Sequence, residues 1–150
     1  MLLALAALPL AGSAWAAPNG QAVFTANCAF CHQAGGVGVP GQFPRLAGRS
    51  AEIAASPEGR QFLTTILLNG MSGHVTVDGQ DILGLMPGFA TLKDDELAAV
   101  LNYISRLGKP KAIPAPFTAK DFIDARTRPV LGPEEVALQR ANLASAKLVP

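Results

Sequence analysis

The chain has 150 residues, of which 15% are charged and 6% aromatic, and its formal net charge is +1. A single core is the default for this length, and the near balance of charge excludes both the basic footprint of a nucleic-acid-binding protein and the charge density of a disordered chain. Two cysteines cannot build a disulfide-dense scaffold, and together with two histidines they allow at most one ordinary zinc site.

Residues 1–16 are predicted to be an export signal. Met1 to Ala11 is an almost unbroken run of leucine and alanine, and Ala14-Trp15-Ala16 has the small residues that a signal peptidase recognises ahead of Ala17. A membrane anchor is the alternative, but the apolar run is shorter than the roughly 20 residues that span a bilayer. The mature chain is therefore expected to be periplasmic and not stably inserted in the membrane.

The mature chain changes composition before its proline-rich segment. Acidic residues outnumber basic ones from Ala17 to Ser105, whereas the reverse holds from Arg106 to Pro150, and the second part contains half of the prolines. The stretch from Lys109 to Pro116 cannot form the interior of a helix or a sheet. Residues 17–107 are therefore predicted to form the domain and residues 108–150 an appended arm.

The domain is predicted to be all-α with a small hairpin. Apolar residues at helical spacing, with cap and stop signals at the ends, predict helices over Pro18–Asn27, Pro57–Asn69 and Asp94–Leu107. Val75–Val77 and Ile82 flank Asp78-Gly79, which predicts a short hairpin. Glycine-rich loops are expected at residues 35–38 and 84–88. Such short helices make a thin core, so a bulky apolar group that the sequence does not encode is expected to complete it.

The arm contains one clear helix signal and one weaker signal. Gly132-Pro133 precedes two glutamates and then apolar residues at Val136, Leu138 and Leu143, which predicts a helix, and residues 117–128 predict a second, short one. The arm either packs back over the domain as a strap or docks another protein. Because its basic residues are scattered rather than clustered, the strap is the favoured interpretation.

The residues that carry chemistry are Cys28-Ala29-Phe30-Cys31-His32. This C-x-x-C-H run is the attachment signature of a c-type haem. Two thiols one helical turn apart can each bond one of the two vinyl groups of the porphyrin, and the imidazole that follows reaches the iron as its proximal ligand. The sequence therefore predicts one covalent haem c, held by Cys28 and Cys31, with His32 on the iron.

Three other interpretations of the same run are weaker. A thioredoxin-type dithiol needs a strand-helix-strand setting, which is not predicted upstream of Cys28. A zinc site would need two further good ligands, and only His74 is available. A structural disulfide between Cys28 and Cys31 leaves His32 unexplained.

A six-coordinate iron needs a second axial ligand, for which the candidates are Met71, Met86 and His74. Met86 lies in Gly84-Leu85-Met86-Pro87-Gly88, a loop in which a thioether can be aimed rather than buried in a helix. A thioether opposite an imidazole raises the reduction potential, which suits an electron carrier. Met71 is expected to fill the core and His74 to lie on a surface loop, so Met86 is the predicted ligand.

In these features the sequence resembles a class I c-type cytochrome, a single-haem helical electron carrier. The matching elements, in order, are Gly20 and Phe24, Cys28 to His32, Pro44-Arg45-Leu46-Ala47-Gly48, Met86-Pro87, and a last helix that contains Tyr103. The resemblance covers about residues 18–107 and implies an orthogonal helix bundle around one covalently bound haem. The sequence is similar in particular to a bacterial branch of this family, whose members serve periplasmic dehydrogenases or terminal oxidases.

The resemblance also implies specific contacts. The carbonyl of Pro44 would accept a hydrogen bond from Nδ1 of His32 and fix the imidazole, and Gly20 with Phe24 would cross the last helix near Tyr103. The sequence departs from the branch before the last helix, where Lys93 stands in place of the usual serine. Thr91 or Asp94 is therefore expected to cap that helix.

The expected function is that of a periplasmic one-electron carrier between larger redox proteins, a dehydrogenase, oxidase or reductase, with no catalytic residue of its own. Its transfer surface is expected near residues 37–43 and 87–89, at the haem edge. One alternative is a permanent haem subunit of a periplasmic dehydrogenase or terminal oxidase complex. A second is a gas-binding haem sensor or haem enzyme, in which Met86 is displaced from the iron.

Overall fold

A computed structural model describes residues 17–150, so the predicted export signal lies outside the described residues. Within this range the helices are α1 Gly20–Asn27, α2 Ala29–His32, α3 Arg49–Ile53, α4 Pro57–Asn69, α5 Asp94–Ile104, α6 Ala119–Arg126 and α7 Pro133–Ser145, and the strands are β1 Met71–Val77 and β2 Gln80–Met86. The predicted all-α class with one hairpin is confirmed. None of the helices in residues 17–150 is both long and apolar enough to cross a membrane.

Side-chain caps explain where the first long helices begin. Oδ1 of Asn19 accepts hydrogen bonds from the backbone N–H groups of Gln21 and Ala22 at 3.0 and 3.2 Å, so α1 begins at Gly20, two residues later than predicted. Oγ of Ser56 accepts from the N–H of Gly59 at 3.0 Å and begins α4. Both caps satisfy donors that a helix leaves unpaired at its first turn, and the bounds predicted for α4 are confirmed.

The capping residue predicted for α5 is wrong. Neither Thr91 nor Asp94 caps this helix: Lys93 occupies the cap position, and its N–H donates to the carboxylate of Glu96 at 3.0 Å. Oδ1 of Asp95 accepts from the N–H of Glu96 at 2.9 Å. Carboxylates in the first turn thus replace the missing serine, since they accept hydrogen bonds and also complement the positive end of the helix dipole.

Helices α1 and α5 cross at Gly20, as predicted. A Cβ built on Gly20 would lie 2.1 Å from the carbonyl oxygen of Ala99, so only glycine allows this approach. One turn further along α1, the rings of Phe24 and Tyr103 are 5.4 Å apart between centroids and tilted by 49°. This is a favourable aromatic arrangement, and it fixes α1, and hence the cysteines that follow it, against the last helix of the domain.

The hairpin is longer than predicted. Its turn is Asp78-Gly79, with φ of +53° and +75°, but the strands pair from Val77↔Gln80 back to Met71↔Met86. Met86 is therefore the last residue of β2. The prediction from Gly84 and Pro87 that Met86 lies in an irregular loop is wrong. The prediction failed because Gly84 was interpreted as a loop signal, whereas this strand accommodates a glycine within its ladder.

The arm packs against the domain. Phe117, Phe122, Val136 and Val149 are buried in the same apolar cluster as the residues of α4 and α5. Asn102 of α5 ties the arm down, because its side chain donates to the carbonyl of Phe117 at 2.8 Å and accepts from the N–H of Phe117 at 2.7 Å. Helix α7 lies against α4 and β1. The arm thus has the arrangement that the strap interpretation predicts.

Candidate functional site

An apolar cavity opens between α2, α4, α5 and the hairpin. Its empty volume is about 1340 Å³, the open space at its mouth included. The deeper walls are aliphatic and include Ile53, Leu63, Leu67, Val100, Leu101 and Ile104. The cavity accounts for the thin core inferred from the sequence, because apolar side chains of four elements surround a space that they do not fill.

The two cysteines lie in the wall of this cavity and are not joined by a disulfide. Cys28 stands at the junction of α1 and α2: its N–H donates to the carbonyl of Phe24 at 2.8 Å, and its own carbonyl accepts from the N–H of His32 at 2.9 Å. Burial, with a smaller contribution from Cys31, raises the pKa of the Cys28 thiol to about 11. Redox-active dithiols have lowered thiol pKa values, so this environment does not favour the thioredoxin-type alternative.

His32 ends α2 and is buried, with 7% of its surface exposed. Its Nδ1 lies 2.9 Å from the carbonyl oxygen of Pro44. Because a carbonyl can only accept, Nδ1 carries the proton, and Nε2 keeps a lone pair that can bind a metal. Burial lowers the pKa of His32, although the hydrogen bond to Pro44 acts in the opposite direction. The neutral imidazole is therefore favoured, which is the form that ligates iron.

The loop after α2 folds back to bring Pro44 to His32. The N–H of Gly38 donates to the carbonyl of His32 at 2.9 Å, and Val39 pairs with Phe43 in an isolated bridge. A Cβ on Gly38, whose φ is +69°, would lie 2.5 Å from the carbonyl oxygen of Phe43. The tight return at Gly38 therefore places the Pro44 carbonyl at the imidazole.

Both candidate methionines line the cavity. Met71 and Met86 are direct partners in the hairpin register, so their side chains leave the same face of the sheet. His74 does not line the cavity: its side chain is largely exposed, and its Nδ1 lies 3.4 Å from a carboxylate oxygen of Asp81. The structure thus brings Met86 to the same cavity as Cys28, Cys31 and His32, brings Met71 there as well, and leaves His74 outside.

Sequence reasoning missed three arginines at this site. Arg45, Arg49 and Arg140 line the cavity, whereas the described residues that line it include no aspartate or glutamate. The signal for Arg140 was its position four residues after Val136, on the buried face of α7. Arg49 is the first residue of α3 and gave no comparable signal.

The cavity fits a haem by its own chemistry. It offers apolar walls for the porphyrin, two adjacent thiols for its vinyl groups, an imidazole with a free Nε2, a thioether, and arginine side chains that suit its carboxylates. A zinc site has no comparable support, since no group of three or more His, Cys, Asp or Glu side chains gathers within residues 17–150. The fold and the site together define a helical protein of the c-type haem class.

Comparisons with known proteins agree with this class. The Cytochrome c family matches residues 17–108. A cytochrome c-552 of Thermus thermophilus is 43% identical over 142 residues, which cover 93% of this chain and 95% of that protein. A second Thermus thermophilus cytochrome c-552 is 45% identical over 121 residues, or 79% of this chain and 92% of that protein. The chain therefore belongs to the cytochrome c family.

A more distant relative is the cbb3-type cytochrome c oxidase subunit FixP of Bradyrhizobium diazoefficiens. It is 37% identical over 95 residues, which cover 63% of this chain but 31% of FixP. The family and the c-552 relatives establish that this chain is a class I c-type cytochrome, that it binds one covalent haem c, and that it is an electron carrier. The first of the two Thermus proteins also aligns through the arm, because its match extends beyond residue 108.

Proposed function

We propose that the chain is an exported, periplasmic carrier that moves one electron at a time between larger redox proteins and turns over no substrate itself. In this proposal Cys28 and Cys31 would hold the haem, and His32 and Met86 would ligate its iron. When bound, the haem iron supplies the one-electron change between its ferric and ferrous states. The protein binds and orients the group and excludes water from it.

The observation that carries the residue assignment is the hydrogen bond between His32 and Pro44. It fixes the tautomer and the ring orientation of His32 inside a cavity that Cys28 and Cys31 also line. Such a partner also raises the basicity of a ligating imidazole. His32 thus has its proton on Nδ1, which leaves Nε2 as the nitrogen that would ligate the iron.

Burial of the site suits a carrier. An electron carrier works best when its metal site changes little between oxidation states, and the aliphatic walls formed by α4 and α5 leave few polar groups to rearrange. The proposed transfer surface is the mouth of the cavity, where Gln42 and Phe43 approach from one loop and Pro87 and Phe89 from another. These residues fall in or beside the two segments expected from the sequence.

A second candidate function is that of a haem subunit of a terminal oxidase complex, with a FixP-like role. The observation in its favour is the 37% identity to FixP over 95 residues. Gel filtration of a native extract, followed at the absorbance of the haem, distinguishes the two functions. We expect a haem-containing species of about the size of the mature chain. Coelution with a large redox complex would favour the subunit.

Two stopped-flow assays of the reduced protein test the carrier proposal: oxidation by an added terminal oxidase, and, separately, mixing with carbon monoxide alone. A carrier with both ligand positions of the iron filled transfers one electron per chain in the first assay. In the second assay it does not bind carbon monoxide within the time that this transfer takes. Prompt binding of carbon monoxide to the reduced protein, or turnover of peroxide, would contradict the proposal and favour a sensor or a haem enzyme.

A further inference from the structure

Strand β2 has one edge without a hydrogen-bonded neighbour in the part of the chain that the structure describes. β1 occupies its other edge, and helix α7 packs on β1. In a hairpin with a two-residue turn, the closing pair Val77↔Gln80 exchanges both hydrogen bonds, and such pairs alternate with pairs that exchange none. The N–H and carbonyl groups of Asp81, Leu83 and Leu85 therefore point away from β1.

This edge is accessible and has little of the usual protection. Asp81, Leu83 and Leu85 are exposed, and their outward N–H and carbonyl groups form no hydrogen bond to another residue of 17–150. The side chains of the two leucines are apolar, and each residue is 69% exposed. Proteins commonly protect such an edge with lysine, proline or a bulge. The pairing of β2 with β1 runs without a bulge, and Asp81 is the one charged residue of β2.

We propose that two copies of this chain pair through β2, edge to edge and antiparallel, about a two-fold axis at Leu83. Leu83 would face Leu83 of the second copy, and Asp81 would face Leu85 of the second copy. In this register each outward N–H and carbonyl group of one strand meets a complementary group of the other. The backbone groups that the single chain leaves unpaired at this edge are then all satisfied.

The sequence of the strand favours this register and a second copy as the partner. An axis at Leu83 is the symmetric arrangement that pairs all three outward-facing residues of each strand with each other. An axis at Asp81 would set two carboxylates directly opposite each other, which is destabilising. An axis at Leu85 would set Pro87 opposite Leu83, and a proline has no N–H to donate. The edge is thus self-complementary in one register, where no like charges oppose each other.

The association is expected to be weak. Each copy contributes one strand of seven residues, whereas stable complexes bury about 1,200–2,000 Å². We therefore expect single chains in a dilute native extract and pairs at chain concentrations of about 0.1–1 mM. Because Ile82, Gly84 and Met86 of the same strand line the cavity, pairing would join the walls of two cavities in one four-stranded sheet.

Sedimentation equilibrium of the haem-loaded protein, at chain concentrations from about 0.01 to 2 mM, tests the proposal. The variants are Leu83→Lys, Leu83→Glu and Leu138→Lys. Leu138 lies in α7 and is 66% exposed, so Leu138→Lys makes the same change at a similarly exposed leucine outside β2. Either Leu83 variant alone sets like charges opposite each other at the axis, whereas an equimolar mixture of the two sets opposite charges there.

We expect Leu83→Lys and Leu83→Glu, each alone, to weaken self-association at least about tenfold. The equimolar mixture should associate within about threefold of the wild type, and so should Leu138→Lys. Circular dichroism and the haem spectrum verify that each variant is folded. Because Leu83 is mostly exposed, both variants should mature with haem, and if one does not, the other alone carries the tenfold expectation.

A wild-type protein that stays a single chain at the highest concentration would overturn the proposal, and so would a Leu83→Lys variant that associates as the wild type does. A mixture that fails to associate would contradict the axis at Leu83. Equal weakening by Leu138→Lys and Leu83→Lys would show that net charge, not the edge of β2, governs association. The mass measured here does not depend on electron transfer, so these outcomes are separate from those that test the proposed function.

Discussion

At the scale of single residues, the site depends on the ligating atoms that the hydrogen bonds of the fold leave free. Nδ1 of His32 is taken by Pro44, which leaves Nε2 for a metal. Cys28 and Cys31 remain free thiols in the cavity wall. The attachment run alone predicts this set, because its spacing brings the three side chains together within one short helix.

The choice between the two methionines is testable by matched substitutions. We expect Met86→Leu to abolish the weak far-red band of sulfur bound to ferric iron and to lower the equilibrium constant for reduction at least tenfold, since a thioether opposite an imidazole raises the potential. Met71→Leu, on the paired position of the hairpin, should keep the band and the potential. Loss of the band in Met71→Leu alone would contradict the assignment of Met86.

The ion pair between Arg45 and Asp78 joins the Pro44 loop to the hairpin turn. Hydrogen bonds from Arg45 hold the pKa of Asp78 below its ordinary value. The pair therefore stabilises the folded state above the ordinary aspartate pKa of about 3.9, and this stabilisation is lost as the pH falls from there through the lower pKa of the folded state.

We expect Asp78→Asn to lower the free energy of unfolding by about 0.5 kcal/mol at pH 7, since both side chains are partly exposed. The difference from the wild type should shrink at pH 3. Asp81→Asn, in the same hairpin but beside His74 rather than an arginine, serves as the control in denaturant titrations at both pH values. A difference that persists undiminished at lower pH would contradict the account.

At the scale of secondary structure, local signals predicted the helices well and the hairpin poorly. Ser56-Pro57 and Asn69-Gly70 mark the ends of α4 by capping chemistry that acts within one turn. The extent of β1 and β2 depends instead on pairing between strands, which no single segment encodes, and so Gly84 was interpreted as a loop residue. Arg49 was missed for a similar reason, because its burial results from the arm that covers it.

The crossing of α1 and α5 gives a sharp prediction at this scale. Gly20→Ala places a methyl group against the carbonyl of Ala99, and overpacking of this kind costs about 1–3 kcal/mol. Gln21→Ala, at the next and exposed position of α1, should change the stability by less than about 0.5 kcal/mol. Thermal unfolding of the haem-loaded variants measures both. If Gly20→Ala were as stable as the wild type, α1 could move away from α5 without a cost in the free energy of unfolding, and the prediction would be contradicted.

At the scale of the whole molecule, the arm and the domain share one apolar core. Phe117, Phe122 and Val136 are each at most 3% exposed, and burying such a side chain contributes roughly 1.5–3 kcal/mol. Composition indicates that the segment after residue 107 differs from the domain. It could not indicate that this segment packs on α4 and β1, because scattered apolar residues do not specify their partners.

Deleting residues 110–150 is therefore expected to destabilise the haem-loaded protein by more than about 3 kcal/mol. Denaturant unfolding of the truncated and full-length proteins provides the comparison. Unchanged stability together with lost electron transfer to an oxidase would contradict the strap and favour a docking arm.

The central claim is that a haem is bonded to Cys28 and Cys31 and fills the cavity with His32 and Met86 on its iron. The most direct measurement is the visible spectrum of the purified chain, oxidised and reduced, after maturation in a host that attaches haem, repeated for Cys28→Ser with Cys31→Ser. The account predicts sharp reduced bands that stay with the chain on denaturation, a far-red band in the oxidised protein, and no attached haem in the double variant. A colourless wild-type protein, or attached haem that survives in the double variant, would contradict it.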